Sequence, residues 1–230
     1  MNRIGKMSLA ALALTMAAVA GAQDAAIAVK DGGIKADGWT GEIDASEKTK
    51  GMKLENSRLV KHGDGVHLTT GPQGAFWQSS ARASGNYTVK ATFKEPKFMS
   101  LMNHPHPYGL FIGGNDMGTD KQSYLYCAAY GNGRFIARGF GPAPFQLNGR
   151  GDVHAAVNKA AGKNAEVTQD IAISVKGDKV ECSINGQVVG SYDRSAVVGE
   201  GKLKSTDGVY GLRFGHNTEA IVTGLTLTKN

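Results

Sequence analysis

Tyr87, Val89, Ala91 and Phe93 alternate with Thr88, Lys90, Thr92 and Lys94. Successive side chains of an extended chain point to opposite faces, so this period of two predicts a strand with an apolar face on a core and a polar face outside. Pro96 ends it, because proline offers no amide hydrogen to an internal ladder. Further on, a turn at Gly177-Asp178 would pair Val175 with Val180, Ile173 with Cys182 and Ile171 with Ile184, putting all six on one face. Asn185-Gly186 is a second two-residue hairpin signal; its pairing sets Val189 opposite Cys182 and predicts a three-strand meander. Gly131-Asn132-Gly133 marks another hairpin, between 122–130 and 134–140, with a loop of either two or three residues. With three, Leu125, Cys127, Ala129, Phe135 and Ala137 share a small, apolar face, and Tyr124, Tyr126, Tyr130, Arg134 and Arg138 share the other.

From Val66 onward, short segments rich in β-branched and aromatic residues alternate with Gly, Asn and Asp, as in antiparallel sheets. The Ala-rich run at 153–161 suits a turn or two of helix, bounded by Gly162 and Asn164. Residues 31–63 are polar and punctuated, with Trp39 and Met52-Lys53-Leu54 as anchors, and read as short strands and turns. The fold class expected is all-β: a two-sheet antiparallel jelly-roll sandwich over 61–230, approached by a lead-in segment at 23–60.

The first residues differ in kind. Arg3 and Lys6 precede an uncharged, largely apolar run at 7–20, followed by Ala20-Gly21-Ala22, which is the pattern of a signal peptide cleaved after Ala22. The run falls short of the roughly 20 apolar residues of a membrane span and no basic stop-transfer cluster follows, so an uncleaved anchor is the weaker alternative and no transmembrane segment is expected after cleavage. The expected location is periplasmic or secreted. Losing Arg3 and Lys6 lowers the formal charge from +6 to +4, and the remaining basic residues are scattered among acids, which gives nucleic-acid binding no support. Thirty-two Gly against six Pro indicate tight turns in an ordered chain. Export to an oxidising compartment permits one disulfide between Cys127 and Cys182, with two separate buried thiols as the other arrangement.

The segments Asp207-Gly208-Val209-Tyr210-Gly211-Leu212-Arg213-Phe214-Gly215-His216-Asn217 and Ile173-Ser174-Val175-Lys176-Gly177-Asp178-Lys179-Val180 resemble concanavalin A-like lectin/glucanase jelly rolls. Ser183-Ile184-Asn185-Gly186-Gln187-Val188-Val189, Gly71-Pro72, Tyr87-Thr88-Val89-Lys90-Ala91-Thr92-Phe93 and Tyr108-Gly109-Leu110-Phe111-Ile112-Gly113-Gly114 extend the match over about Gly71 to Leu227. The pattern is similar to the branch containing 3-keto-disaccharide hydrolase domains and exported bacterial relatives. The resemblance implies two curved antiparallel sheets with carbohydrate-related ligands on one face or its rim. It assigns architecture more than chemistry.

Retaining glycosidases present two carboxylates to one face of a strand, as Glu-x-Asp does. Glu42-Ile43-Asp44 has that spacing but lies in the lead-in segment, where a solvated surface pair is the expected reading. His104-Pro105-His106 places two imidazoles on the same side of an extended loop, where they can hold a divalent metal or orient a sugar, or simply be exposed in a proline-stiffened loop. A third ligand would have to come from Asp116, Asp120 or another His. Tyr124, Tyr126, Arg134 and Arg138, joined by Tyr108, offer flat rings for sugar C–H faces and guanidinium groups for hydroxyls; cross-strand Tyr–Arg packing is the structural alternative. Arg213, His216 and Asn217 can complete a pocket or cap a strand end, and Trp77 can stack on sugar or fill the sandwich. Arg150-Gly151-Asp152 is an adhesion-like tripeptide of little specificity. No phosphate-cradling glycine motif or zinc-ribbon cysteine set is present in the sequence. Three functions follow as expectations: a glycan- or glycoconjugate-binding protein, a hydrolase or lyase acting on 3-keto-glycosides through His104 and His106, and an envelope interaction module.

Overall fold

The computed structural model describes residues 25–119, 121–149 and 151–230, so the expected signal peptide at 1–22 lies outside the described residues. In chain order the strands are β1 (Gly33–Ile34), β2 (Trp39–Ile43), β3 (Arg58–His62), β4 (Gly65–Thr69), β5 (Gly74–Ala83), β6 (Tyr87–Glu95), β7 (Tyr108–Asn115), β8 (Ser123–Tyr130), β9 (Arg134–Phe140), β10 (Pro144–Gln146), β11 (Asp152–Val153), β12 (Val167–Lys176), β13 (Lys179–Ile184), β14 (Gln187–Asp193), β15 (Gly208–Phe214) and β16 (Glu219–Lys229). They form two eight-stranded sheets. The first runs β1-β3-β4-β16-β6-β12-β13-β14, and the second β10-β9-β8-β7-β15-β5-β2 with β11 added beside β9. Among these strands only β1 and β3 pair in parallel. The lead-in residues therefore reach the edges of both sheets: β1 edges the first, beside β3, which begins within the lead-in, and β2 edges the second. Helix is confined, among the described residues, to single turns such as Ala45–Lys48 and Arg194–Val197, and no helix there is long and apolar enough to cross a membrane.

The alternation in β6 is reproduced: Tyr87, Val89, Ala91 and Phe93 are buried against the second sheet. Val175–Val180, Ile173–Cys182 and Ile171–Ile184 are in register. Asn185 and Gly186 both have positive φ, 50° and 80°, the requirement of the mirror-image turn that matches strand twist. The meander departs from expectation at one point. A bulge between Cys182 and Ser183 pairs Cys182 with Gly190, so Val189 is the extra residue and does not face Cys182. The helix suggested at 153–161 does not form. That segment instead docks on the first sheet: buried Gln169 accepts from the Asn158 amide at 3.0 Å and donates to the Asn158 carbonyl at 2.8 Å, while Asn185 donates to Ala156 O at 2.7 Å. Side chains thus hold the backbone groups that a helix would have satisfied internally.

Between the sheets lies one apolar core, in which Phe93, Tyr108 and Phe214 stack with centroids 5.9–6.2 Å apart. Cys127 of β8 and Cys182 of β13 are bonded across it, Cα to Cα 5.9 Å, and the bridge ties one sheet to the other. The Gly131-Asn132-Gly133 loop is the three-residue form, with Tyr130 opposite Arg134. The result is the two-sheet antiparallel jelly roll.

Candidate functional site

Strand register builds the outward face of the second sheet in rows. One row runs Glu42–Ala75–Arg213–Gly109–Ala128–Ile136, and the next Thr40–Trp77–Gly211–Phe111–Tyr126–Arg138. Phe140 stands opposite Tyr124 in a third. In the first row Arg213 stands between the small residues Ala75 and Gly109, and its side chain is buried. Its guanidinium lies 5.5 Å from the Tyr126 ring centroid and 5.3 Å from that of Phe140. Nη1 and Nη2 donate to Asp44 Oδ1 and Oδ2 at 2.6 and 2.7 Å, a bidentate pair buried on both sides. Burial alone would lower the pKa of Arg213; the Asp44 carboxylate outweighs it and the net shift is upward. Burial likewise raises Tyr126, against the opposing pull of Arg213 and Arg138.

This arrangement floors a cleft of about 470 Å³ lined by Glu42, Asp44, Tyr126, Arg138, Phe140 and Arg213, with Thr119, Gln122 and Pro142 on its rim. Arg138 sits over Phe140, 5.2 Å from its ring centre. Half-buried Phe140 and Arg138, rather than the nearly inaccessible Tyr126, offer surface to a ligand. Asp44 is buried and paired, not the solvated surface residue expected from sequence, because the end of β2 carries it over the sheet. Glu42 pairs with Lys48. With both Asp44 oxygens committed to Arg213, the Glu-x-Asp spacing does not supply the two available carboxyl groups that retaining glycoside hydrolysis needs.

The other candidates separate. Tyr108 and Tyr124 are fully buried. Tyr108 points into the inter-sheet core, the face opposite the Tyr/Arg face, since β7 places it in line with Leu110 and Ile112. Tyr124 packs under Phe111 and Phe140 at 5.2 and 5.0 Å. Arg134 is exposed beside the hairpin loop and does not line the cleft. Trp77 is buried edge-on to Phe111 on the outward face. Asp116 pairs with Lys204; Asp120 and Arg150 lie outside the described residues.

His216 joins His104 and His106 instead. The three ring centroids are 3.8 Å (106 to 216), 4.6 Å (104 to 106) and 6.2 Å (104 to 216) apart, and His106 Nε2 lies 2.8 Å from His104 Nε2. His104 and His106 border a hollow with room for roughly one water molecule, alongside Glu95, Met102 and Thr218. Burial pushes the Glu95 carboxyl up to about 7, despite the hydrogen bond from the Met99 amide, which acts the other way. These residues can hold a metal or move a proton. Phe140, Glu95 and the role of Asp44 were not singled out from sequence. Phe140 had a signal, since extending the Tyr126–Arg138 register by one pair places it opposite Tyr124; Glu95 had none beyond its parity with Phe93.

No protein-family model and no curated protein matches the chain. Among solved structures, the carbohydrate-binding module CBM66 from Bacillus subtilis superposes with a TM-score of 0.55 at 11% identity, over 84% of this chain and 96% of that one. An endo-β-1,3-glucanase from Pyrococcus furiosus gives 0.48 at 12% identity, over 84% and 88%. At 11% identity the likeness to the Bacillus subtilis module shows the fold alone, a two-sheet antiparallel jelly-roll sandwich.

Proposed function

We propose that this protein is an exported glycan- or glycoconjugate-binding β-sandwich whose ligand site is the cleft over the second sheet. The observation that carries the reading is the convergence of Phe140, Arg138 and the Arg213–Asp44 pair in one open cleft of about 470 Å³, within the size range of small-ligand sites. A ring face for sugar C–H surfaces beside fixed guanidinium donors is the chemistry that a pyranose with several hydroxyls requires. The name of the Bacillus subtilis module that shares the fold supports the same ligand class. A glycan screen of the folded chain lacking residues 1–22 tests it. Binding that weakens at least roughly tenfold in Phe140→Ala and Arg138→Ala, as loss of about 1.4 kcal/mol would give, supports the cleft; a blank screen, or affinity unchanged in both variants, overturns it. Export is tested separately by cell fractionation and by finding Gln23 at the mature N-terminus.

One observation favours a second reading. His104, His106 and His216 converge near buried Glu95, a group of proton acceptors suited to abstracting the C–H made acidic by a C3 ketone, which would cleave a 3-keto-glycoside by elimination. Turnover of a 3-keto-disaccharide that is lost in His106→Ala supports it, and no turnover by the folded protein sets it aside.

A further inference from the structure

We propose that His104, His106 and His216 form a binding site for one transition-metal ion of the Zn²⁺ type, with a fourth coordination position open to water. They come from two places in the chain, the His104-Pro105-His106 loop and the turn that holds His216, and specific contacts bring the two together. His106 lies between Pro105 and Pro107 immediately before β7, and His216 lies two residues beyond the end of β15. Those strands pair with Tyr108 opposite Phe214, and the ladder is extended by Gly215 N donating to Pro107 O at 2.7 Å. A Cβ at position 215 would stand 2.8 Å from His106 Cβ and 3.0 Å from Pro107 Cδ, so glycine is what allows the two segments to close. The far side of the turn is also fixed. Thr70 Oγ1 donates to Gly215 O at 2.6 Å, Thr218 Oγ1 donates to His216 O at 2.9 Å, and Asn217 has a φ of 49°.

One ligand nitrogen from each ring lies within 4.8 Å of the other two. Zn–N bonds of about 2.0–2.1 Å put the nitrogens of a tetrahedral trio roughly 3.3 Å apart. His104 and His106, at 2.8 Å, are already inside that spacing, and a ring rotation in the surface loop closes the widest gap. The donor set selects the metal class: three neutral imidazoles without a carboxylate among them suit Zn²⁺, Cu²⁺ or Ni²⁺ and not Ca²⁺ or Mg²⁺. Three protein ligands beside a hollow of water size leave the fourth position open, the arrangement of exchangeable rather than purely structural sites. None of the three histidines lines the glycan cleft, so metal occupancy and sugar binding are read independently.

The test titrates EDTA-stripped, dialysed protein with ZnCl₂ by calorimetry and with CoCl₂ by visible absorption, no sugar present. One ion per chain, an intense tetrahedral-type Co²⁺ spectrum and a raised melting temperature are expected. Since altering even an outer-shell partner of a ligand costs up to about 100-fold in affinity, His106→Ala and His104→Ala should each lose at least that much. His62→Ala, an exposed histidine at the end of β3 that does not border the hollow, should bind as wild type. His216 is buried, so His216→Gln is used beside it, with the metal-free melting temperature showing that the variants fold. No binding by wild type, or one-to-one binding that survives in the His104→Ala/His106→Ala double variant, overturns the proposal. Glycan affinity unchanged in EDTA keeps this outcome separate from that of the cleft.

Discussion

Replacing Asp44 by Ala takes both acceptor oxygens from the Arg213 guanidinium while leaving the charge under the cleft floor. The two side chains are 10% and 5% exposed, so the stranded cation regains little water. Breaking one side of a buried ion pair costs about 3–5 kcal/mol. The rings of Tyr126 and Phe140 flank the guanidinium already in the wild type, so they do not offset the loss. A loss of about 3–5 kcal/mol is expected, a large share of the 5–15 kcal/mol typical of a domain. Asp44 makes no side-chain capping bond to the helical turn that follows it, so loss of a cap does not contaminate the measurement. Urea unfolding of Asp44→Ala, Arg213→Met and the double variant gives the coupling directly. The double variant should be more stable than the two single losses added together predict, by at least about 2 kcal/mol, because it removes the cation as well as its partner. A single loss below about 1 kcal/mol, or additivity within about 0.5 kcal/mol, would show that Arg213 reaches solvent and that the cleft floor is not held by this pair.

Two further consequences concern stability. Glu95 has a folded pKa of about 7 against an ordinary 4.5, with burial the main cause. The folded state therefore holds the extra proton between those values. Its contribution is fully present below pH 4.5 and is lost as pH rises through 7, amounting to about 3 kcal/mol. Glu95→Gln should be more stable than wild type at pH 8 and nearly equal at pH 4; equal stability at both would refute the assignment. The Cys127–Cys182 bridge closes 55 residues, which corresponds to about 4 kcal/mol of denatured-state entropy. The Cys127→Ala/Cys182→Ala variant should unfold at correspondingly lower urea, and two titratable thiols in the oxidised native protein would contradict the bridge.

Local chemistry explains which parts of this molecule were legible in its sequence. Period-two alternation in β6 and the glycine-containing turns specify pairing between neighbours, so the register of β12 with β13 followed from a few residues, while that of β8 with β9 stayed open between two loop lengths and is the three-residue form. Val189 was misplaced because a bulge obeys a twist demanded by the whole sheet and leaves no mark in a two-residue turn. The candidate sites depended on contacts that no spacing encodes. Asp44 and Arg213 are 169 residues apart, and His106 and His216 meet only because β7 lies beside β15. Packing across strands then decided what those contacts became. A tyrosine on the outward face reads from sequence as a sugar platform, but the Arg213 guanidinium packs over the Tyr126 ring, 5.5 Å from its centroid, and Tyr126 is buried. The exposed aromatic role thereby passes one register pair along the hairpin, to Phe140. A hairpin register therefore identifies which residues share a face. Which of them meets solvent is settled by what other strands lay over that face, here the Arg213 side chain of β15.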